Sequence, residues 1–184
     1  RPAFRRADPD RGEAHAARAA AVRPGTSVLL GAGYEARLGS PDALDPRHLA
    51  LVRSRVDHGG LVAEAALGYG GDARDHESWG YTLHALVVEA HAGWAFDLGP
   101  TRLATGAGLG VGRLWQEFDS GQSRSGWAFR PQAVVSLVVP VGGRLAVEAL
   151  LRSGAARVPG AAAGSDARWT GWFGGGLAVV VRLR

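Results

Sequence analysis

From Thr26 onward, apolar and polar side chains alternate with a period of two in eight successive runs separated by turn-forming residues. This is the period of a β-strand, in which consecutive side chains point to opposite faces of the sheet. The runs cover approximately residues 26–38, 49–57, 61–69, 86–96, 103–111, 127–139, 145–151 and 169–183. The sequence therefore predicts an all-β domain of eight antiparallel strands.

The connections between the runs alternate strictly between short and long. Short turns fall at 58–60, 97–101 and 140–143, and longer polar loops fall at 39–47, 71–78, 119–126 and 153–167. Short turns at one end and long loops at the other, with an even number of strands, are typical of bacterial outer-membrane barrels. We therefore expect an up-and-down transmembrane β-barrel with both termini on the periplasmic side.

The two faces of the predicted strands differ in chemistry as a membrane requires. One face is aliphatic and carries aromatic side chains near the strand ends, where interfacial girdles form: Tyr34, Tyr69, Trp94, Phe96, Trp115, Trp127, Phe129, Trp169 and Phe173. The other face combines Gly and Ala with a polar set that we expect to form a neutralising network inside a filled barrel: Glu35, Arg37, Arg53, Arg55, Glu64, Glu89, His91, Arg130, Gln132, Glu148, Arg152 and Arg182.

Residues 1–25 differ from the remaining chain, since they are polar and rich in Ala and Arg. We expect them to form a linker or a short helix ahead of a barrel domain at 26–184. Residue 1 is not Met, and no leader peptide is evident. We therefore expect preceding chain, which could include a periplasmic domain fused to the barrel or associated with it.

Composition excludes several classes of protein. Cys is absent, which removes disulfides and thiolate chemistry, and no apolar run approaches the ~18 residues of a spanning helix. The net charge is +4, but the arginines are spread along the chain, which disfavours nucleic-acid binding. We expect no cofactor, and we expect outer-membrane lipid and lipopolysaccharide as partners.

The cadence of turns and strands resembles that of the small eight-stranded outer-membrane barrels of the OmpA/OmpX type. The stretches AGWAFDLGPTRLATGAGLGVG and GWFGGGLAVVVRLR carry the resemblance, which extends over about residues 26–184. It implies the barrel fold and an outer-membrane location, and it implies no catalytic motif.

Two groups of residues raise chemical alternatives. His76, Glu77 and Ser78 have a His-x-Ser spacing similar to that of outer-membrane lipid A deacylases, with Glu77 or Asp75 as an orienting acid. A solvated polar loop contains such residues in any case and is the favoured account, so we expect no enzyme. Glu89, His91 and His84 invite a metal interpretation, but an interior His paired with Glu or Arg is the favoured account.

Three functional classes remain open at this stage. The favoured one is a closed barrel that acts as a structural element, a membrane anchor or a loop-mediated binding protein. The second is a lipid-modifying hydrolase that uses His76 and Ser78. The third is a soluble lipocalin-like carrier, which would require a polar exterior and an apolar interior.

Overall fold

A computed structural model describes residues 25–39, 47–76, 79–158 and 167–183. The predicted eight strands are present: β1 (Thr26–Gly39), β2 (His48–His58), β3 (Leu61–His76), β4 (Trp79–Leu98), β5 (Thr101–Phe118), β6 (Ser123–Gly142), β7 (Leu145–Val158) and β8 (Arg168–Arg182). No helix in these ranges is long and apolar enough to cross a membrane. Residues 1–24 lie outside the described residues, so the division at residue 25 stays a prediction.

The strands form one closed antiparallel barrel in sequence order, and β1 closes it by pairing with β8. The stagger of the strands can be traced from Leu29 on β1 by stepping from each residue to its direct partner on the next strand. After one full turn around the barrel, these steps return to β1 at Gly39, ten residues beyond the starting point. This register stagger means that the strands are tilted, because stagger and tilt are linked in a closed barrel. The predicted up-and-down β-barrel is confirmed.

The predicted assignment of faces follows the observed burial strand by strand. On β4, Val88 and Trp94 are exposed while Val87, Glu89 and His91 are buried. The exterior is a continuous apolar surface, and the interior holds charged side chains. A soluble lipocalin-like carrier has the opposite distribution, so that alternative is excluded.

The structure corrects the predicted loops on the long-loop side. Within the segment predicted as a loop at 71–78, residues 71–76 belong to β3, and 77–78 lie outside the described residues. The loop predicted at 119–126 shortens to 119–122, because β6 begins at Ser123. Polar residues do not end a strand here, because the backbone hydrogen bonds between β3 and β4 continue to His76 and Trp79. Polar side chains on such a strand can remain in water. The short turns lie at 59–60, 99–100 and 143–144, with positive φ at Gly60, Gly99 and Gly143.

Glycines on the inward face of β5 make room for long polar side chains. A Cβ added to Gly108 would lie 2.4 Å from Cδ2 of His91, and one added to Gly110 would lie 3.2 Å from Cγ of Glu89. Glycine is unfavourable in a strand unless something packs closely against it. The inward face of β5 has almost no side chains, and the charged side chains of neighbouring strands occupy the space that this leaves.

Substitution of Gly93 by Ala is expected to destabilise the barrel by ~1–3 kcal/mol, the usual cost of overpacking. The added Cβ would lie 2.0 Å from the carbonyl oxygen of Thr105 on β5, so the backbone itself would have to move. Gly171→Ala is the control, since nothing lies within 4 Å of a Cβ there. Urea unfolding in lipid vesicles measures both, and equal stability of the two variants would contradict the close approach of β4 and β5.

Candidate functional site

Eleven of the twelve polar residues expected inside the barrel are buried, with Arg182 the exception. Arg182 has the inward register of β8 but is exposed, because it lies in the last position of that strand. It is therefore outside the buried polar set. The functional role of this set stays a prediction, but its geometry defines what the interior can do.

Four of these residues form a closed ring of ion pairs in the half of the barrel nearer the long loops. Arg37 Nε donates to Oε1 of Glu35 at 2.6 Å, and its Nη2 donates to Oε1 of Glu89 at 2.9 Å. Arg152 completes the ring, because it donates to Glu89 and lies 3.1 Å from Oε2 of Glu35. Each charge in the ring thus faces two of opposite sign.

Arg152 also connects this ring to pairs nearer the short turns. Its Nη2 lies 3.3 Å from Oε1 of Glu64, which in turn accepts a hydrogen bond from Arg53. Glu148 then lies 3.2 Å from both Arg53 Nη1 and Arg55 Nη1. Charges of alternating sign therefore run continuously along the barrel interior.

The column of charges ends at residues that the sequence argument did not assign to the network. Asp57 accepts hydrogen bonds from Arg55 at 2.6 and 3.1 Å and lies 3.1 Å from Nε of Arg102. Ser136 Oγ accepts from Arg55 at 3.1 Å. Asp57 and Arg102 share the inward register of their strands, so strict application of the alternation would have included both.

The buried charges of the described residues balance. Five buried arginines, including Arg130, accompany five buried carboxylates, so these ten charges balance. His91 donates or accepts a hydrogen bond with Gln132 at 2.7 Å, and its Nδ1 lies 3.6 Å from Glu64. A cavity of about 20 Å³ borders Arg55, Glu64 and His91, a volume that suits a single water.

An apolar cluster closes the interior on the long-loop side of the charges. The Arg37 guanidinium lies 4.5 Å from the ring centroid of Trp172, which joins the two regions. The alternation pattern did not identify the cluster, because Leu83, Ala85 and Leu114 lie outside the predicted runs and Ala156 lies in a predicted loop. Its buried members are Leu49, Leu51, Leu83, Ala85, Val87, Leu114, Ala128, Ala156 and Trp172.

An aromatic and histidine girdle surrounds the exterior near the same end. Tyr34 stacks on His48 at a centroid distance of 5.8 Å, and His84 stacks on Trp115 at 5.8 Å. His84 thus faces outward, whereas Glu89 and His91 face inward. These three residues cannot share a metal, and no cluster of three potential ligands occurs within the described ranges.

Strands β3 to β6 continue past this girdle as a four-stranded sheet. Pairing of β3 with β4 extends to His76 and Trp79, and pairing of β5 with β6 extends to Glu117 and Ser123. At 3.3 Å per residue along tilted strands, the sheet projects roughly 10–15 Å beyond the girdle. In the described parts of the chain, the other four strands end near the girdle, so the projection there consists of β3–β6.

Aromatic contacts hold the projecting sheet together. The rings of Tyr81 and Phe118 lie 5.9 Å apart, and the Arg124 guanidinium lies 5.3 Å from the Phe118 ring. Arg124 also donates to Gln116 Oε1. Inter-strand contacts of this kind stabilise sheets in the part of the barrel that water surrounds.

The projecting sheet has two open edges among the described residues. The backbone ladder between β2 and β3 stops at Leu49 and Gly70, although the side chain of Asp72 lies 3.5 Å from Arg47 on that side. The described backbone ladder between β6 and β7 begins at Phe129 and Arg157 and does not extend to 123–128. Open edges present backbone donors and acceptors to an incoming strand.

The residues of the hydrolase alternative are not brought together by any described contact. Glu77 and Ser78 lie outside the described residues, as do the side chains of His76 and Asp75. The hydrolase interpretation therefore stays an untested prediction from sequence.

Comparison with known proteins shows a likeness in structure. No protein-family model and no curated protein sequence matches the chain. Ail, the attachment invasion locus protein of Yersinia pestis, superposes with a TM-score of 0.57 at 13% identity over 88% of this chain and 100% of that one. A major outer membrane protein from Thermus thermophilus gives a TM-score of 0.59 at 9% identity, covering 86% and 100%.

Neisserial surface protein A gives a TM-score of 0.54 at 14% identity over 85% of this chain and 95% of that one. At these identities the likeness concerns the fold. It agrees with the closed eight-stranded topology and with an exterior of exposed apolar side chains. The resemblance seen in the sequence is confirmed at that level, and the chain has the fold of the small eight-stranded outer-membrane β-barrels.

Proposed function

We propose that this protein is a closed barrel of the bacterial outer membrane that mediates adhesion through the sheet projecting from its long-loop end. In this arrangement the short turns and both termini face the periplasm. The observation that carries the proposal is the extension of β3–β6 beyond the girdle with two edges open among the described residues. An extended segment of a partner polypeptide can pair with such an edge.

The filled interior supports adhesion rather than transport. Eight strands enclose a space that side chains occupy, and here the ion-pair column and the apolar cluster occupy it in succession. In planar bilayers we expect no stable conductance of porin size. Ail of Yersinia pestis is described as an attachment invasion locus protein, a role of that protein that accords with a binding end.

Trimming the β3–β4 hairpin tests the adhesive role. Residues 73–82 are replaced by Asn-Gly, a sequence suited to a two-residue hairpin turn, so that Asp72 and Leu83 remain paired. The aromatic and histidine girdle and the interior charges are left intact. In a non-adherent bacterial host, we expect attachment to epithelial monolayers to fall at least tenfold, an order-of-magnitude expectation for loss of an edge interface.

The control shortens the connection between β7 and β8 by removing residues 161–164, at the same end of the barrel. Surface amounts are matched by antibody labelling of an epitope tag. Equal attachment of the wild type and the trimmed variant would contradict adhesion through the projecting sheet, as would an equal loss in the control.

A further inference from the structure

Charged side chains are rare on the exterior of the strands, and the two arginines among them lie at similar heights. Among described outward-facing positions of β1–β8, the charged residues are Arg113, Glu117 and Arg157. Glu117 lies four residues beyond Arg113 on β5, or ~13 Å farther along the strand toward the long loops. The two arginines therefore mark the upper border of the apolar exterior.

The register places the two arginines at similar heights along the barrel axis. Arg113 pairs with Trp127, and Phe129, two residues farther along β6, pairs with Arg157. In a staggered barrel, each step to the next strand along the pairing shifts the position along the barrel axis. From β5 to β7 this shift nearly cancels the two-residue displacement along β6, so the heights of Arg113 and Arg157 differ by only ~2 Å. Their Cα atoms are then ~12 Å apart across the surface.

Aromatic side chains contact the Arg113 guanidinium and lie next to Arg157 in the strand pairing. Arg113 lies 5.7 Å from the centroid of Trp127 and donates to Ser125 Oγ at 3.3 Å, which directs it toward the long loops. Arg157 pairs with Trp169, whose ring meets Phe129 edge-on at 6.4 Å. Neither arginine forms an ion pair with a described carboxylate. Each guanidinium group has five N–H donors that can bind an anion.

We propose that Arg113 and Arg157 form a site for the phosphorylated headgroup of a glycolipid in the membrane leaflet at the long-loop end. Guanidinium groups bind phosphate through paired charge-assisted hydrogen bonds. Trp127, Phe129 and Trp169 lie where they can contact the sugar and the first acyl carbons, since such rings prefer the membrane interface. The proposal rests on the placement of this end outside the cell.

The test uses the full chain refolded in detergent micelles, with lipid occupancy measured by native mass spectrometry. The ligands are bis-phosphorylated lipid A and the same lipid with its phosphates removed. We expect the wild type to bind the phosphorylated form about tenfold more tightly, and we expect Arg113→Gln/Arg157→Gln to lose that preference. The control, Arg144→Gln/Arg182→Gln, removes equal charge at the short-turn end and should retain it.

Excess inorganic phosphate distinguishes a lipid site from a general phosphate site, and we expect it not to displace the lipid. Equal binding of the two lipids by the wild type would overturn the proposal without reference to any variant. Loss of the preference in the control, or displacement by free phosphate, would overturn it as well. Because purified barrel is used, neither result bears on adhesion by the projecting sheet, and the attachment assay does not bear on this site.

Discussion

Arg152→Met is expected to lower the free energy of unfolding by about 3–5 kcal/mol, the usual cost of removing one partner from a buried ion pair. Arg152 is fully buried and lies within ion-pair distance of Glu35, Glu64 and Glu89. Its loss leaves buried carboxylates with fewer compensating charges. Urea unfolding in lipid vesicles, followed by tryptophan fluorescence, measures the change.

Arg182→Met is the matched control, since Arg182 has the inward register but is exposed at the strand end. We expect that variant to stay within about 0.5 kcal/mol of the wild type. Adding Glu89→Gln to Arg152→Met should restore part of the lost stability, because the second change removes one of the uncompensated charges. If Arg152→Met unfolds like the control, the interior charges do not act as a coupled network.

Leu109→Arg is expected to destabilise the barrel by about 2–4 kcal/mol, the cost of an arginine facing lipid near the bilayer midplane. Leu109 is exposed on the outward face of β5, four residues from Arg113 toward the short turns. Leu98→Arg is the control, because Leu98 is similarly exposed but ends β4 beside a short turn. There the expected cost is only about 0–1 kcal/mol.

The same unfolding measurement in vesicles compares the two variants. A difference of about 2 kcal/mol or more between Leu109→Arg and Leu98→Arg would place Leu109 in hydrocarbon. Equal costs at the two positions would mean that the exterior of β5 does not lie across a membrane.

The number of strands and the direction of each side chain could be predicted from the sequence, because both follow from a period of two. Arg53 and Arg55 alternate with Val52 and Ser54, and the structure buries the arginines as that alternation requires. The fold class followed from the order of short and long connections. These features are local, so a single sequence contains them.

The strand ends and the pairing of charges could not be predicted in the same way. Polar composition placed residues 71–76 in a loop, although they pair with β4, since a polar strand above a membrane has no apolar alternation to reveal it. Arg152 meets Glu64 across 88 residues of sequence. Such contacts depend on the register stagger around the whole barrel, which no single segment specifies.

The two candidate binding surfaces likewise combine features that the sequence predicts with features that depend on the pairing of distant strands. Arg113 and Arg157 become one site only through the stagger that brings β5 and β7 to similar heights. The open edges of the projecting sheet likewise appear only when the ends of neighbouring strands are compared. By contrast, the aromatic positions of the girdle could be assigned from sequence, because they continue the outward alternation of each strand.

The central claim is that an apolar exterior faces lipid while charges and an apolar cluster fill a closed interior. Methyl-labelled protein in lipid nanodiscs tests it directly through nuclear Overhauser effects between Leu or Val methyl groups and lipid acyl chains. We expect such effects at Leu109, Val135 and Leu177, which are exposed on the outward face, and none at Leu83 or Leu150, which are buried inside. Acyl-chain contacts at Leu83 and Leu150 with none at Leu109, Val135 and Leu177 would contradict the barrel described here.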